Sequence, residues 1–182
     1  MHVTSTAGRI AFAALVALAS RPAAAQQMPF PYGEDVGLDA ARKLGQAALA
    51  DARKNGWNMA VAVVDTHGAL VFFERMDAVQ HGSVHVAQEK ARSAAEFRRP
   101  TKVFEDAVKG QALNLIGLPG AVPVEGGVPI VMNGKIVGAI GVSGGTSAQD
   151  GQVAKAALDA VGGSAPSAQA PASAPPATPP KR

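Results

Sequence analysis

A serine flanked by glycines is the first residue pattern that could carry catalysis. The segment Gly141-Val-Ser143-Gly-Gly145 matches the G-x-S-x-G elbow, which exposes a nucleophilic serine between a strand and a helix. In that fold the histidine base follows the serine along the chain, and no histidine follows Ser143. The segment is more simply a glycine-rich bend, although its amide groups could bind an anion at the start of the next helix.

Two histidines have a spacing that suits a metal site. His81 and His85 are four residues apart, so on one helix they would face the same way and could share an ion with Glu89. Gly82-Ser83 favours a helix start here, which would leave His81 outside the helix. The alternatives are therefore a metal site and a solvent-facing pair of His85 with Glu89. His67 falls in a short loop, where a polar residue needs no ligand.

Basic residues gather where a proline must end a helix. They are Arg92, Arg98, Arg99 and Lys102, around Pro100, with apolar stretches at 97–104 and 113–118. This combination indicates a carboxylate clamp beside an apolar surface, which would suit a flat, apolar and anionic ligand. The alternative is a solvated helix end, because cations at a helix C-terminus complement the helix dipole.

The overall composition excludes several classes of function. The sequence carries 17 Lys and Arg against 14 Asp and Glu, but four of the basic residues lie in the two ends, so residues 26–163 hold 13 basic and 14 acidic residues. A nearly neutral domain gives no electrostatic reason to bind nucleic acid. The sequence contains no cysteine, which excludes disulfides, thiol catalysis, iron–sulfur clusters and thiolate zinc sites.

The two ends differ from the middle. Residues 1–25 have a weakly basic start, an apolar run and Ala23-Ala24-Ala25, which together predict a secretory signal peptide cleaved before Gln26. An uncleaved amphipathic anchor is the alternative. We expect a periplasmic or secreted protein whose mature chain has no integral membrane segment, because no later apolar run approaches the roughly 20 residues that span a bilayer. Residues 164–182 are rich in Pro, Ala and Ser and predict a disordered tail.

The middle of the chain predicts one α+β domain over residues 26–163 with a largely antiparallel sheet. Helical spacing of apolar residues, β-rich runs and turn signals give the order αββααβββα. Thr101 fits the N-cap of the third helix, and Asn133-Gly134 predicts a hairpin with a type I′ turn. The predicted elements are helix 38–54, strands 58–64 and 69–74, helices 83–97 and 101–110, strands 121–125, 128–132 and 135–142, and helix 147–161.

Several sequence blocks together resemble one family. They are the segments 61–65, 75–77, 90–101, 118–130, 134–144 and 150–154. These blocks are similar to the GlcG/HbpS haem-binding (haem-degrading) family, and the resemblance covers roughly residues 36–161. It implies a profilin-like α/β/α sandwich, an antiparallel sheet flanked by helices, and a homo-oligomer.

The resemblance implies haem as the cofactor, with iron handling as a possible role. It points to Thr101 as an iron ligand, with Arg98 and Arg99 facing the propionates and Arg92 nearby. His85 stands where relatives usually hold an acidic residue, so His85 or His81 is an alternative ligand. Gly151 also departs from the Glu that many relatives hold. The competing function is an enzyme or accessory protein acting on a small carboxylate metabolite.

Overall fold

The computed structural model describes residues 30–165, so the predicted signal peptide and residues 166–182 of the predicted tail lie outside the described part. The helices are α1 (Leu38–Lys54), α2 (Ser83–Phe97), α3 (Lys102–Lys109) and α4 (Ser147–Ala160). The strands are β1 (Ala60–Val64), β2 (Leu70–Arg75), β3 (Gly127–Met132) and β4 (Lys135–Ser143). A 3-10 helix spans Leu113–Gly117. No helix within residues 30–165 is long and apolar enough to cross a membrane.

The four strands form one antiparallel sheet in the order β2-β1-β4-β3. Two hairpins, β1–β2 and β3–β4, are joined through the central β1–β4 pair. At the tip of the second hairpin, Asn133 and Gly134 have φ values of 50° and 72°, as the predicted type I′ turn requires. The α+β class with an antiparallel sheet is therefore confirmed.

Strand β1 shows why the sheet is covered on both faces. All five of its residues are buried, and alternate side chains of a strand point to opposite faces. Val61 and Val63 enter the core that α1 and α4 cover, whereas Ala60 and Ala62 enter the core that α2 covers. The result is an α/β/α sandwich with larger side chains on the α1/α4 face and small ones on the α2 face.

Helix α2 lies very close to the sheet because both surfaces are built from small residues. Ala87, Ala91 and Ala94 are fully buried on the helix. Below them, Gly141 of β4 leaves no room for a side chain: a Cβ atom there would lie 2.0 Å from the Ala87 carbonyl oxygen and 2.5 Å from the Ala91 nitrogen. The helix backbone thus rests directly on the strand.

The predicted strand at 121–125 is wrong, because this segment joins no sheet. Its backbone groups bind side chains instead. The Val122 amide donates to Ser93 Oγ at 3.0 Å, and the Glu125 amide donates to Glu105 Oε2 at 2.6 Å. Pro123, which lacks an N–H group, lies between them. The segment is a loop held between α2 and α3.

An N-terminal strap, residues 31–36, runs along the start of β4. The Ile136 amide donates to the Pro31 carbonyl at 2.9 Å, and the Gly33 amide donates to the Ile136 carbonyl at 2.7 Å. At the other end of the described chain, Ser164 exchanges backbone hydrogen bonds with Val131 of the edge strand β3. Regular contact with the sheet therefore extends one residue past the predicted domain boundary at 163.

We predict that Gly141→Ala destabilises the protein by about 3 kcal/mol, because backbone atoms of α2 would have to move. Gly82→Ala is the matched control. Gly82 has helical φ and ψ of −59° and −31°, and a Cβ atom there would meet nothing within 4 Å. The Gly82→Ala substitution should change the free energy of unfolding by less than about 1 kcal/mol. Urea unfolding followed by Trp57 fluorescence measures both; equal effects would contradict the close approach of α2 to the sheet.

Candidate functional site

The C-terminal end of α2 is where the predicted basic residues and the apolar loop meet. The helix ends at Phe97, and Arg98 adopts the left-handed conformation with φ of 53°. Pro100 follows, and the residue before a proline avoids the helical region. A non-glycine residue in the left-handed region is uncommon and costs backbone energy, so the tertiary contacts of Arg98 must hold it there.

Arg98 is held by the N-terminal strap and its neighbouring residue. Its guanidinium carbon lies 5.3 Å from the centre of the Tyr32 ring, within the range of a cation–π contact. Its Nη1 also donates to the Phe30 carbonyl over a long 3.5 Å. Burial raises the pKa of the Tyr32 phenol, with Arg98 lowering it and Glu96 raising it further. Phe30 and Tyr32 remain about two-fifths exposed, at 38% and 43%.

Arg99 has an aromatic support of its own. Its guanidinium carbon lies 5.9 Å from the centre of the Phe104 ring, and its Nε donates to the Phe97 carbonyl at 3.1 Å. The Phe97 and Phe104 rings meet edge to face, with centres 5.2 Å apart. Two adjacent arginines are therefore each placed on an aromatic ring, and both are only partly buried.

The loop after α3 presents an apolar surface to solvent next to this helix end. We call it the apolar loop surface; its members are Leu113, Ile116, Leu118 and Val124, with exposures from 37% to 62%. None of the five residues of the 3-10 helix at Leu113–Gly117 is buried. The loop approaches α2 at Gly120, where a Cβ atom would lie 3.7 Å from the Phe97 ring. The loop that carries the apolar surface therefore reaches the helix end that carries the basic residues.

Thr101 is fully buried at the start of α3. Its Oγ accepts a hydrogen bond from the Gly127 amide at 3.0 Å, and its own amide donates to the Gly127 carbonyl at 2.9 Å. Thr101 is the N-cap residue of α3, as predicted, but the expected capping bond is wrong: its φ and ψ are helical, and its side chain caps no amide of the helix. The physical reason is that its hydroxyl attaches the start of α3 to the first residue of β3.

Arg92 lies five residues, about one and a half turns, before the end of α2, and its side chain already has partners. Its Nε donates to the Gly68 carbonyl of the β1–β2 turn at 3.2 Å, and its Nη1 pairs with Glu89 at 2.5 Å. Glu89 is thus paired with Arg92, and no hydrogen bond or ion pair within residues 30–165 joins it to His85. Arg92 thus attaches the β1–β2 turn to α2 through its hydrogen bond to Gly68.

The two candidate histidines lie at the opposite end of α2. His85 is exposed in the first turn, and His81 precedes the helix, as predicted. Thirteen residues separate His85 from Arg98, which corresponds to about 20 Å along a helix. The structure therefore places Arg98 and Arg99 at one end of α2, which the loop after α3 approaches at Gly120, and leaves both histidines at the other end.

The glycine-rich bend has free groups neither for a nucleophilic serine nor for a bound anion, the two uses considered for it. Ser143 is buried, and its hydroxyl donates to Ser83 Oγ at 3.0 Å. The Gly145 amide already donates to the Asp150 carboxylate at 3.0 Å. Thr146 and Gln149 form the predicted capping box and take further amide groups of the helix start. The anion in this bend is the protein's own Asp150.

A buried ion pair, which sequence reasoning missed, joins the two helix layers at this bend. Lys90 Nζ lies 2.6 Å from Asp150 Oδ2, with side-chain exposures of 1% and 4%, and also donates to the Val142 carbonyl at 3.2 Å. Burial raises the pKa of the Asp150 carboxyl, and the Lys90 ammonium and the Gly145 amide offset part of that rise. Lys90 shares the helical face of Ala87 and Ala94, which was the available signal.

Glu105 is a second buried charge that sequence reasoning missed. It accepts hydrogen bonds from the Lys109 ammonium, the Glu125 amide and the Ser147 hydroxyl. Burial raises the pKa of its carboxyl, but these donors outweigh burial and hold the pKa below its ordinary value. Glu105 therefore joins α3, the loop before β3 and the start of α4.

A carboxylate–imidazole group lies at the β1–β2 turn. Asp35, Asp65 and His67 each bring one ligand atom within 4.8 Å of the others. Both carboxylates are engaged: Asp35 accepts from the Thr66 amide and hydroxyl, and Asp65 accepts from the amides of His67 and Ala69. The Thr66 bonds lower the pKa of the Asp35 carboxyl. These contacts close the turn and attach the strap to it.

A groove of about 400 Å³ lies between the strap, the start of α1 and the β3–β4 turn. Its charged lining residues are Glu34, Asp35 and Lys135. Two carboxylates against one ammonium do not suit a ligand with two negative charges. The end of α2 is the better candidate for an anionic ligand.

We predict that Lys90→Met destabilises the protein by about 3 to 5 kcal/mol at neutral pH, because it leaves a buried carboxylate without its cation. An unpaired buried Asp150 has a folded-state pKa above its unfolded value of about 3.9. The loss of stability caused by Lys90→Met should therefore be small below about pH 4 and grow as the pH rises towards the folded-state pKa of Asp150.

The control is the double variant Lys90→Met/Asp150→Leu, which removes both charges. Its stability should return towards that of the unmodified protein, without the added pH dependence. Urea unfolding at several pH values measures all three proteins. A Lys90→Met loss that is the same at pH 4 and pH 7 would contradict the pairing.

Comparison with known proteins places the chain in a family. Residues 36–159 match the family model described as haem-degrading protein HbpS-like. The GlcG protein of Escherichia coli K12 is 46% identical over 97 residues, which cover 53% of this chain and 72% of GlcG.

Two solved structures have the same fold. A double mutant of Streptomyces reticuli HbpS superposes with a TM-score of 0.65 at 32% identity, covering 78% of this chain and 97% of that one. A PduOC:haem complex superposes with a TM-score of 0.65 at 25% identity, covering 71% and 97%. Residues 36–159, which the family model matches, include nearly all of the sandwich and the whole end of α2. This chain belongs to the HbpS-like family.

Proposed function

We propose that this protein binds haem at the surface where α2 ends. The observation that carries the proposal is the pair of adjacent guanidinium groups, each placed on an aromatic ring beside the apolar loop surface. Haem has the complementary form, a flat apolar ring with two propionates at one edge. We assign the propionates to Arg98 and Arg99 and one ring face to the apolar loop surface.

The two parts of the surface would contribute differently. Burial of apolar area contributes about 25 cal/mol per Å² and has no direction, so the loop would supply most of the affinity. Charge-assisted hydrogen bonds have a preferred geometry, so the arginines would set the orientation of the ring. The haem named in the PduOC complex and the haem-degrading description of the family support this class of ligand.

The iron ligand that the resemblance implies is Thr101. Its hydroxyl is buried and bound to the Gly127 amide, so ligation requires this bond to break and the start of α3 to open. His81 and His85 are the alternative ligands. Arg92 lies seven residues after His85, about 10 Å along the same helix face, so a haem ligated there would place its propionates nearer Arg92 than Arg98.

We further propose that the protein is exported and acts in the periplasm or outside the cell as a homo-oligomer. The composition of residues 1–25 supports export. The homo-oligomer is the assembly that the family resemblance implies. We propose no partner of another kind.

We predict that Arg98→Ala and Arg99→Ala each weaken haemin binding about tenfold or more, because each removes one charge-assisted hydrogen bond to a propionate. The Soret position should change little, since the iron is untouched. Absorbance titration and quenching of Trp57 fluorescence measure the affinity.

Arg53→Ala is the matched control, because Arg53 is an exposed arginine at the end of α1 whose partner is Glu74. Its haemin affinity should equal that of the unmodified protein. If the unmodified protein shows no Soret change with haemin, the haem proposal is wrong, and action on a small carboxylate becomes the better account of the two arginines.

We predict that Thr101→Ala alters the ferric haem spectrum, because it removes the proposed iron ligand. Haemin affinity should fall only modestly, because the haem ring stays on the apolar loop surface. Loss of the acceptor for the Gly127 amide should also cost about 1 to 3 kcal/mol of stability. A stability loss with an unchanged spectrum would mean that Thr101 is structural only. Should His81→Ala or His85→Ala shift the Soret band instead, a histidine is the ligand.

A further inference from the structure

Tyr32 occupies a fixed place beside the proposed haem site. The backbone of the strap is paired with β4 on both sides of Tyr32, through Pro31 and Gly33 with Ile136. Its position therefore does not depend on its own side chain. A substitution of the Tyr32 side chain should leave the path of the strap intact.

The phenol of Tyr32 is anchored at the last turn of α2. Its hydroxyl lies 2.9 Å from the Ala95 carbonyl and 3.1 Å from the Glu96 carbonyl, and donates its one proton to this pair. The last carbonyl groups of a helix have no partner within the helix. The backbone at one end and the hydroxyl at the other thus fix the position and the long axis of the ring.

The guanidinium of Arg98 lies over this fixed ring. Its carbon is 5.3 Å from the ring centre, whereas its hydrogen bond to Phe30 is at the 3.5 Å limit of such a bond. A free arginine side chain has many rotamers and loses entropy when a ligand orders it. The ring of Tyr32 restricts those rotamers before any ligand arrives.

We propose that Tyr32 is a positioning residue that presents the Arg98 guanidinium to a carboxylate of the ligand. This inference rests on the proposed haem function and extends it. Tyr32 itself touches neither the iron nor the carboxylate. It lowers the cost of ordering Arg98, just as Phe104 supports Arg99 on the other side of the helix end.

A purely structural role gives a different expectation. If Tyr32 only caps α2, its loss lowers stability and affects every ligand of the site alike. If Tyr32 positions Arg98, its loss matters only for ligands with carboxylates, and only while Arg98 is present. Haemin and haemin dimethyl ester form a matched pair of ligands, because the ester has the same ring and no free carboxylate.

The experiment compares both ligands on four proteins: the unmodified chain, Tyr32→Leu, Arg98→Ala and the double variant. Tyr32→Leu should weaken haemin binding about three- to fivefold, the equivalent of an exposed cation–π contact, and leave binding of the ester unchanged. In the Arg98→Ala background the Tyr32 substitution should have no further effect. Tyr32→Phe keeps the ring without its anchor and should fall between the two.

Phe30→Leu is the control, because the backbone carbonyl of Phe30, not its ring, contacts Arg98. It should leave the haemin-to-ester preference unchanged.

An equal loss for both ligands, or a Tyr32 effect that persists without Arg98, overturns the positioning role while haem binding stands. If the unmodified chain binds neither ligand, the proposed function itself fails. Because the sequence has a single tyrosine, phenol absorbance also reports the Tyr32–Arg98 contact directly.

Discussion

The close approach of α2 to the sheet is the constraint on which the rest of the structure depends. Gly141 and the buried alanines of α2 let the helix backbone touch β4. Dispersion contacts at this distance are numerous, and any added side-chain atom would separate the two surfaces. The helix can therefore neither slide nor rotate, and its C-terminal end is fixed relative to the strap and to the loop before β3.

The buried Lys90–Asp150 pair also fixes the position of α2. It joins α2 on one face of the sheet to α4 on the other, past the end of β4. A hydrophobic pair of similar volume could give equal stability, so the ion pair is best understood as a device that sets the register of the two helices. Because both the packing on β4 and the ion pair fix α2, the two residues that follow the helix lie at a defined place. Arg98 and Arg99 then need only local supports, which Tyr32 and Phe104 provide.

Much of the fold could be predicted from the sequence, because local signals and tertiary packing agree there. The bounds of α1 and α2 match the predicted 38–54 and 83–97, and the Asn133-Gly134 turn and the capping box of α4 are as predicted. The strand prediction for 121–125 is wrong because the apolar residues of this segment suit a strand, while its hydrogen-bond partners, Ser93 and Glu105, lie far away in sequence. No local pattern records such contacts.

The site was only partly predictable for a similar reason. The basic cluster and its apolar neighbours are close in sequence, so they stay close in space. Tyr32 is more than sixty residues from the helix end that it caps, and only the pairing of the strap with β4 brings it there. Thr101 shows the opposite error, because a hydroxyl before a helix predicts a cap, yet Gly127 competes for it successfully.

Haem binding at the end of α2 is tested best by locating the ligand on the protein. Ferric haem is paramagnetic and broadens the NMR signals of nearby amides, so a titration of the isotope-labelled protein maps the site residue by residue. Haem bound at the end of α2 should broaden the amide signals of the strap around Tyr32 and of residues 95–104 and 113–124, and leave those of α1 and α4 unaffected. Broadening centred on His81 and His85, or on the groove beside Lys135, would contradict this binding site.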